Sequence, residues 1–261
     1  MEEKTTDNSA VVKKGGLTSS GLKLIAMFSM LIDHIGAGFL EKGYLPYLKS
    51  LYGSSSAIYD KWNTIDSIMR CIGRLAFPIF CFVLVEGFLH TRDIKKYIVR
   101  LIIFAIVSEI PFDLCFRKAT FNWKYQNVIW TMLLGIIAMA FVRFINDGRS
   151  IRSEKSQFLL TLFVFVGFGM IAVLMRTDYN ATGVMLILIM YLLREREFFR
   201  DIAGAVDLLG AGYVEIASYP SFILMHFYNG ERGANLKYLF YVFYPLHLLI
   251  IACIRIAVFG G

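Results

Sequence analysis

Long apolar runs separated by short polar stretches make up most of the chain. They fall at roughly 18–40, 65–90, 97–116, 127–146, 157–176, 179–193, 201–227 and 237–259. A helix needs about 20 apolar residues to cross a hydrocarbon core of about 30 Å, and these runs lack the in–out alternation of barrel strands. The pattern predicts an all-α fold, a polytopic integral membrane helical bundle with about eight transmembrane helices. The sixth run is short. The seventh contains Asp207, Glu215 and Pro220, which predicts a kinked or partly interfacial segment. Residues 41–64 read as a long loop. Residues 1–16 read as a disordered polar N-terminal tail, and residues 17–261 as a single transmembrane domain. Asp33 and His34 lie inside the first run, where a cleavable signal segment would carry no charge, so that run reads as a retained helix. No internal repeat or low-complexity segment is visible.

Composition agrees. Of 261 residues, 57% are hydrophobic and 18% charged, against about 25% charged in soluble domains, and the mean hydropathy is +0.60. This excludes a disordered chain and argues against an ordinary water-soluble fold. The net charge of +7 fits basic cytoplasmic loops better than nucleic-acid binding. With the N-terminus inside, most Lys and Arg fall in cytoplasmic segments, both termini are cytoplasmic, and the turn YNGERG (228–233) lies outside. Cys71, Cys81, Cys115 and Cys253 sit in apolar runs without metal-ligand spacing and read as buried apolar residues.

Against this background the ionisable residues at membrane depth stand out: Asp33, His34, Arg70, Arg74, Glu86, Glu109, Asp113, Asp207, Glu215 and His247. Each costs several kcal/mol unless partnered. Arg74 with Glu109 or Asp113 is a candidate neutralising pair, and a single membrane histidine is often a packing residue. So many such groups together point instead to a polar chamber open to the outside. Lys23 and His34 are eleven positions apart, about 16 Å along a helix and only about 20° from whole turns, so they share a face. That geometry suits a long ligand with an anionic head at Lys23 and a reactive end at His34. The plainer reading, Lys23 as a snorkelling anchor, stays open on spacing alone. Arg92, Lys95, Lys96 and Arg100 form a basic cluster suited to phosphates as well as to topology. Pro78 is expected to bend its helix around a cavity and Gly87 to admit a close neighbour. Pro111 loosens SEIPFD (108–113) beside its acids, and Asn127, Thr131 and Tyr244 offer hydrogen bonds. No HExxH or similar cluster predicts a metal site.

The motifs DHIG (33–36), GRLAFPIF (73–80), EGFLHTR (86–92), SEIPFD, YNGERG and FYPLHL (243–248) together resemble the TraX family of membrane proteins, which takes its name from a conjugation protein that acetylates the N-terminus of F-type pilin. The resemblance runs from about residue 18 to the C-terminus. A wider resemblance is to the transmembrane acyltransferases, in which Arg or Lys, ten residues and His occur on the first helix, as Lys23 and His34 do here. Their next helix is similar to CFVLVEGF (81–88), with Glu86 in place of the usual Ser.

The resemblance implies a transmembrane acyltransferase-like domain over 17–261, in a bacterial plasma or inner membrane. It implies transfer of acetyl from cytoplasmic acetyl-CoA to an extracytoplasmic amine or hydroxyl, on a peptide or protein N-terminus or a glycan. His34 is then the general base, with Asp33, Glu109 or Asp113 setting its tautomer and Arg74 stabilising the oxyanion. Lys23, Glu86, Arg92, Lys95 and Lys96 hold the acyl-CoA, and Asp113, Asn127, Tyr244 and His247 the acceptor. Two other readings of the same residues are a proton-coupled transporter or flippase and a non-enzymatic assembly subunit of a secretion or conjugation system.

Overall fold

The structure is a computed structural model and describes residues 15–147, 153–235 and 237–260. The expected N-terminal tail lies almost wholly outside the described residues. Among them the chain is helical and has no strand.

Helix α1 (Ser19–His34) starts behind Thr18, whose hydroxyl accepts the Gly21 amide at 3.2 Å and so satisfies an otherwise orphaned donor. It runs without a break into a π-helical segment (Ile35–Tyr44) and α2 (Leu45–Tyr52), and Ser56 caps α3 (Ala57–Gly73). The loop expected at 41–64 is therefore mostly helix. Charged residues interrupt its apolar run, but Leu45 and Leu48 are buried and seat α2. The chain bends at Arg74 and Leu75 before α4 (Ala76–Leu89). Pro78 falls in the first turn of α4, where a missing amide hydrogen costs nothing, so the bend lies ahead of Pro78 and not at it.

Next come α5 (Ile94–Phe116), α6 (Val128–Asp147), α7 (Glu154–Met175) and α8 (Asn180–Leu192). The last part holds α9 (Glu197–Leu209), a 3-10 segment (Tyr213–Ser218), α10 (Pro220–His226) and α11 (Lys237–Phe259). Among the described residues, five helical stretches are long and apolar enough to cross a membrane: Ser19–Tyr52, Ala57–Leu89, Val128–Asp147, Glu154–Met175 and Leu239–Phe259. Asn180–Leu192 is a shorter apolar helix.

The seventh apolar run does not cross. Helix α9 has 13 residues, about 20 Å of rise, and dips only as far as Arg74, which pairs with Glu215 at 3.0 Å. The chain then turns back. His226, at the end of α10, meets Glu197 at 3.0 Å and Asp201 at 2.6 Å at the start of α9. The segment enters and leaves at one end of the bundle, so α11 runs in the same direction as α1. Phe240 lies beside Lys23, His247 beside His34, and Phe259 against Phe39, Tyr44 and Tyr47. The first helix therefore begins, and the last one finishes, at opposite ends. The expectation of eight crossings with both termini on one side, which counted 201–227 as a crossing, is not confirmed. The turn at 228–233 is corrected for the same reason. It sits at the Lys23 end, where the carbonyls of Glu231 and Arg232 accept the amides of Ser19 (2.8 Å) and Ser20 (3.1 Å).

Small residues let the π-helical segment approach its neighbours. A Cβ on Gly38 would overlap Cys115 and Ile251, and one on Gly43 would overlap Arg255 and Phe259. The buried Arg255 donates to the carbonyls of Cys115 (3.0 Å) and Leu114 (2.9 Å), satisfying the last turn of α5. All four cysteines are free. Cys81 and Cys115 are buried as expected, whereas Cys71 and Cys253 face outward.

Candidate functional site

The end of α1 delivers His34 to the middle of α11. Nδ1 of His34 lies 2.6 Å from Nε2 of His247, and the rings are parallel. Nδ1 of His247 lies 2.6 Å from the Phe243 carbonyl oxygen. A carbonyl only accepts, so His247 Nδ1 carries the hydrogen. With both rings neutral, His247 Nε2 then accepts and His34 Nδ1 donates. The free lone pair of His34 is left on Nε2, and His34 lines a cavity. Phe243 and His247 are one turn apart on a helix whose ladder is loosened at Pro245, so the relay comes from local geometry of FYPLHL.

The cavity beside His34 has a volume of about 240 Å³ and opens toward Glu41, Lys42 and Arg117. Its polar wall carries three anchored groups. Asp33 pairs with Arg70 at 2.7 Å, and Arg70 reaches Glu41 at 3.3 Å. A Cβ on Gly73 would overlap the Asp33 side chain, so the missing side chain at Gly73 is what gives this carboxylate room. Arg74 donates to Glu215 (3.0 Å) and to the Tyr179 hydroxyl (3.4 Å). The Asp178 carboxylate accepts from the Tyr125 hydroxyl (2.8 Å) and the Tyr179 amide (3.1 Å). The Asp178 carbonyl accepts the Thr131 hydroxyl.

Asp178 and Tyr179 belong to a loop with unusual backbone. Arg176, Tyr179 and Asn180 all have positive φ (54°, 63° and 43°), a conformation costly for non-glycine residues and often found at working sites. Tyr179 stacks on Phe77 with ring centroids 3.7 Å apart.

A second cavity, of about 210 Å³, lies nearer the start of α1. Lys23, Arg232 and Asn235 lie on its wall, with Phe240 and Tyr97. Met30, Phe80, Val128, Met132 and Tyr244 line both cavities, so these five side chains stand between the two spaces. Tyr244 stands edge-on to both His34 and His247 and is only 4% exposed. Lys23 and His34 thus lie along one helix, one in each cavity.

Other expected site residues are placed differently. No hydrogen bond joins the His34 ring to the carboxylate of Asp33, Glu109 or Asp113; His247 holds the ring instead. Glu109 accepts from Asn127 Nδ2 (2.7 Å), the Asn127 amide and Trp130 Nε1 (3.1 Å), which ties α5 to the start of α6. Asn127 also donates to the Ala105 carbonyl at 2.9 Å. Asp113 accepts the Asn122 amide at 2.6 Å. None of these three lines either cavity, and Arg74 pairs with Glu215 rather than with the acids of α5. Glu86 lies 3.9 Å from His90. Arg92, Lys95 and Lys96 surround the α4–α5 turn at the Lys23 end without reaching the cavity wall. There the Lys96 amide holds the Asp93 carboxyl below its ordinary pKa, and the Lys96 ammonium lies 3.4 Å away.

Sequence reasoning missed Asp178, Tyr179, Tyr125 and Glu41, and gave Arg70 no role. Arg70 precedes Arg74 by one helical turn, a signal that was present. The loop residues gave none, since a short polar turn between apolar runs looks the same wherever it folds.

Comparison with known proteins completes the picture. The family profile described as "TraX protein" matches residues 18–255. "Probable fimbrial assembly protein FimC, serogroup H1" of Dichelobacter nodosus is 27% identical over 256 residues, covering 88% of this chain and 92% of that protein. No solved structure matches.

Proposed function

From the premise that the chain belongs to the TraX family, we propose that it is a membrane acyltransferase that moves acetyl from acetyl-CoA to an amine or hydroxyl on the far side of the bilayer. The positive-inside rule puts the Lys23 end in the cytoplasm. One observation carries the reading: His34, with Nε2 as its free acceptor, lines a cavity that shares wall residues with a second cavity lined by Lys23.

In this scheme the CoA phosphates stay at the Lys23 end. The pantetheine arm passes between the side chains of Met30 and Tyr244, and the thioester reaches His34. The acceptor arrives through the opposite mouth. His34 Nε2 takes the acceptor proton as the acceptor nitrogen or oxygen bonds to the thioester carbon. Arg74, fixed by Glu215 and Tyr179, stabilises the oxyanion. Collapse breaks the C–S bond, and the proton on His34 passes to the departing thiolate. His247 is a positioning residue, since it holds the ring and its tautomer.

The test is transfer of labelled acetyl to peptide-amine and sugar acceptors by purified protein in detergent. His34→Ala is expected to lose about 10²–10⁴-fold with acetyl-CoA binding kept. Full transfer by that variant overturns the assignment. The fimbrial relative's name speaks of assembly, which favours a second reading as an assembly factor without chemistry. On that reading His34→Ala keeps its biological role.

A further inference from the structure

The turn at 228–233 is bound to the first turn of α1. Leu17 and Phe227 exchange a backbone hydrogen bond (2.7 Å), as do Asn229 and Leu17 (2.9 Å). The Ala234 amide donates to the Ser20 hydroxyl at 3.0 Å. Gly233 has φ +70°, and a Cβ there would overlap Ser20 and Thr18, so the strap closes only around glycine. Its product is the position of Arg232. The guanidinium donates to Asn235 Oδ1 at 3.1 Å and lies with Lys23 on the wall of the second cavity. Lys23 itself rests on the Phe240 ring, 5.4 Å from its centroid.

These two cations share a cavity whose lining contains no carboxylate, and neither forms an ion pair among the described residues. Elsewhere in this bundle Arg70, Arg74 and Arg200 are each matched by an acid. Like charges brought together at the mouth of an apolar pocket repel unless an anion joins them. Arg232 presents a planar donor fork suited to phosphate oxygens, and Lys23 a point charge.

We propose that the 228–235 strap is half of a phosphate-ester site, in which Arg232 and Lys23 together grip the head of a ligand whose apolar arm lies in the cavity below. The reading of the chain as an acyltransferase makes that ligand acyl-CoA. The same chemistry also fits an anionic phospholipid headgroup, so the experiment separates the two.

Coenzyme A is titrated into the purified full-length protein in detergent, and phosphatidylglycerol retention is measured in parallel by native mass spectrometry. Arg232→Gln is expected to weaken one of these ligands by about 10–100-fold, the usual worth of a charge-assisted hydrogen bond, and Arg232→Lys by less. Weakened coenzyme A binding identifies the nucleotide, and weakened lipid retention with unchanged coenzyme A identifies the headgroup. Unchanged affinity for both overturns the proposal. Gly233→Ala, which opens the strap while keeping both cations, is expected to weaken the same ligand, and wild-type affinity there also counts against it. A thermal melt of each variant shows that it is folded. His34→Ala is expected to bind normally, so failure of the chemistry and failure of this site are read separately.

Discussion

The imidazoles of His34 and His247 share one hydrogen bond of 2.6 Å, and the Phe243 carbonyl behind them dictates which way it points. Losing His247 leaves His34 in place but frees it to rotate and to switch tautomer. His247→Ala is expected to lower kcat about 10–100-fold, the usual cost of losing an orienting partner, with KM for acetyl-CoA unchanged. Steady-state kinetics of acetyl transfer check this, and a change confined to KM would contradict the relay.

Arg74 and Glu215 lie close together, with side chains 19% and 7% exposed. Removing one partner strands the other in a medium that does not solvate charge. Arg74→Ala is expected to destabilise by about 3–5 kcal/mol. The Arg74→Ala, Glu215→Ala double variant is expected to recover much of that loss while remaining inactive. Unfolding of all three variants in mixed micelles gives the coupling energy.

Glu109 is the clearest case of a membrane acid that works for the fold. Its oxygens are taken up by Asn127 and Trp130, away from both cavities. Glu109→Gln is expected to lower the melting temperature, because an amide cannot accept all of these donors. Activity per folded molecule is expected to stay near wild type.

At Gly73 even a methyl group would collide with Asp33. Gly73→Ala is expected to cost about 1–3 kcal/mol, as overpacking does, and to disturb the Asp33–Arg70 pair. A melt together with acetyl-transfer rates checks both effects.

The inward return of α10 makes a topological prediction. A reporter fused to the C-terminus is expected to sit on the opposite side of the membrane from the 228–235 strap, with the α4–α5 turn on the strap side. Single-cysteine labelling at exposed Glu231 and at Val258, in a background without Cys71 and Cys253, distinguishes the sides.

The bundle itself was legible, because burial of apolar runs in lipid leaves helices as the economical structure for such segments. So was the relation between Lys23 and His34, which lie in one unbroken helix, and helical rise converts sequence separation directly into distance. The partners of the buried charges were not legible. Arg74 chose Glu215 over Glu109 or Asp113 because α9 turns back at its depth, and no periodicity signals a reversal. The helix over 45–52 and 57–64 was hidden for a different reason: its charges, Lys49, Asp60 and Lys61, are exposed, and hydropathy counts them as loop.

What the amino-acid order alone determined is therefore everything that depends on one helix at a time: its apolar length, its shared faces and the presence of costly charges that need partners. Which residues meet across helices was decided by tertiary structure. His247 reached His34, and Arg232 reached Lys23, only because the re-entrant α9–α10 segment set the direction of α11. That reversal is fixed by packing and by polar contacts such as His226 with Asp201, interactions that exist only once the chain has folded.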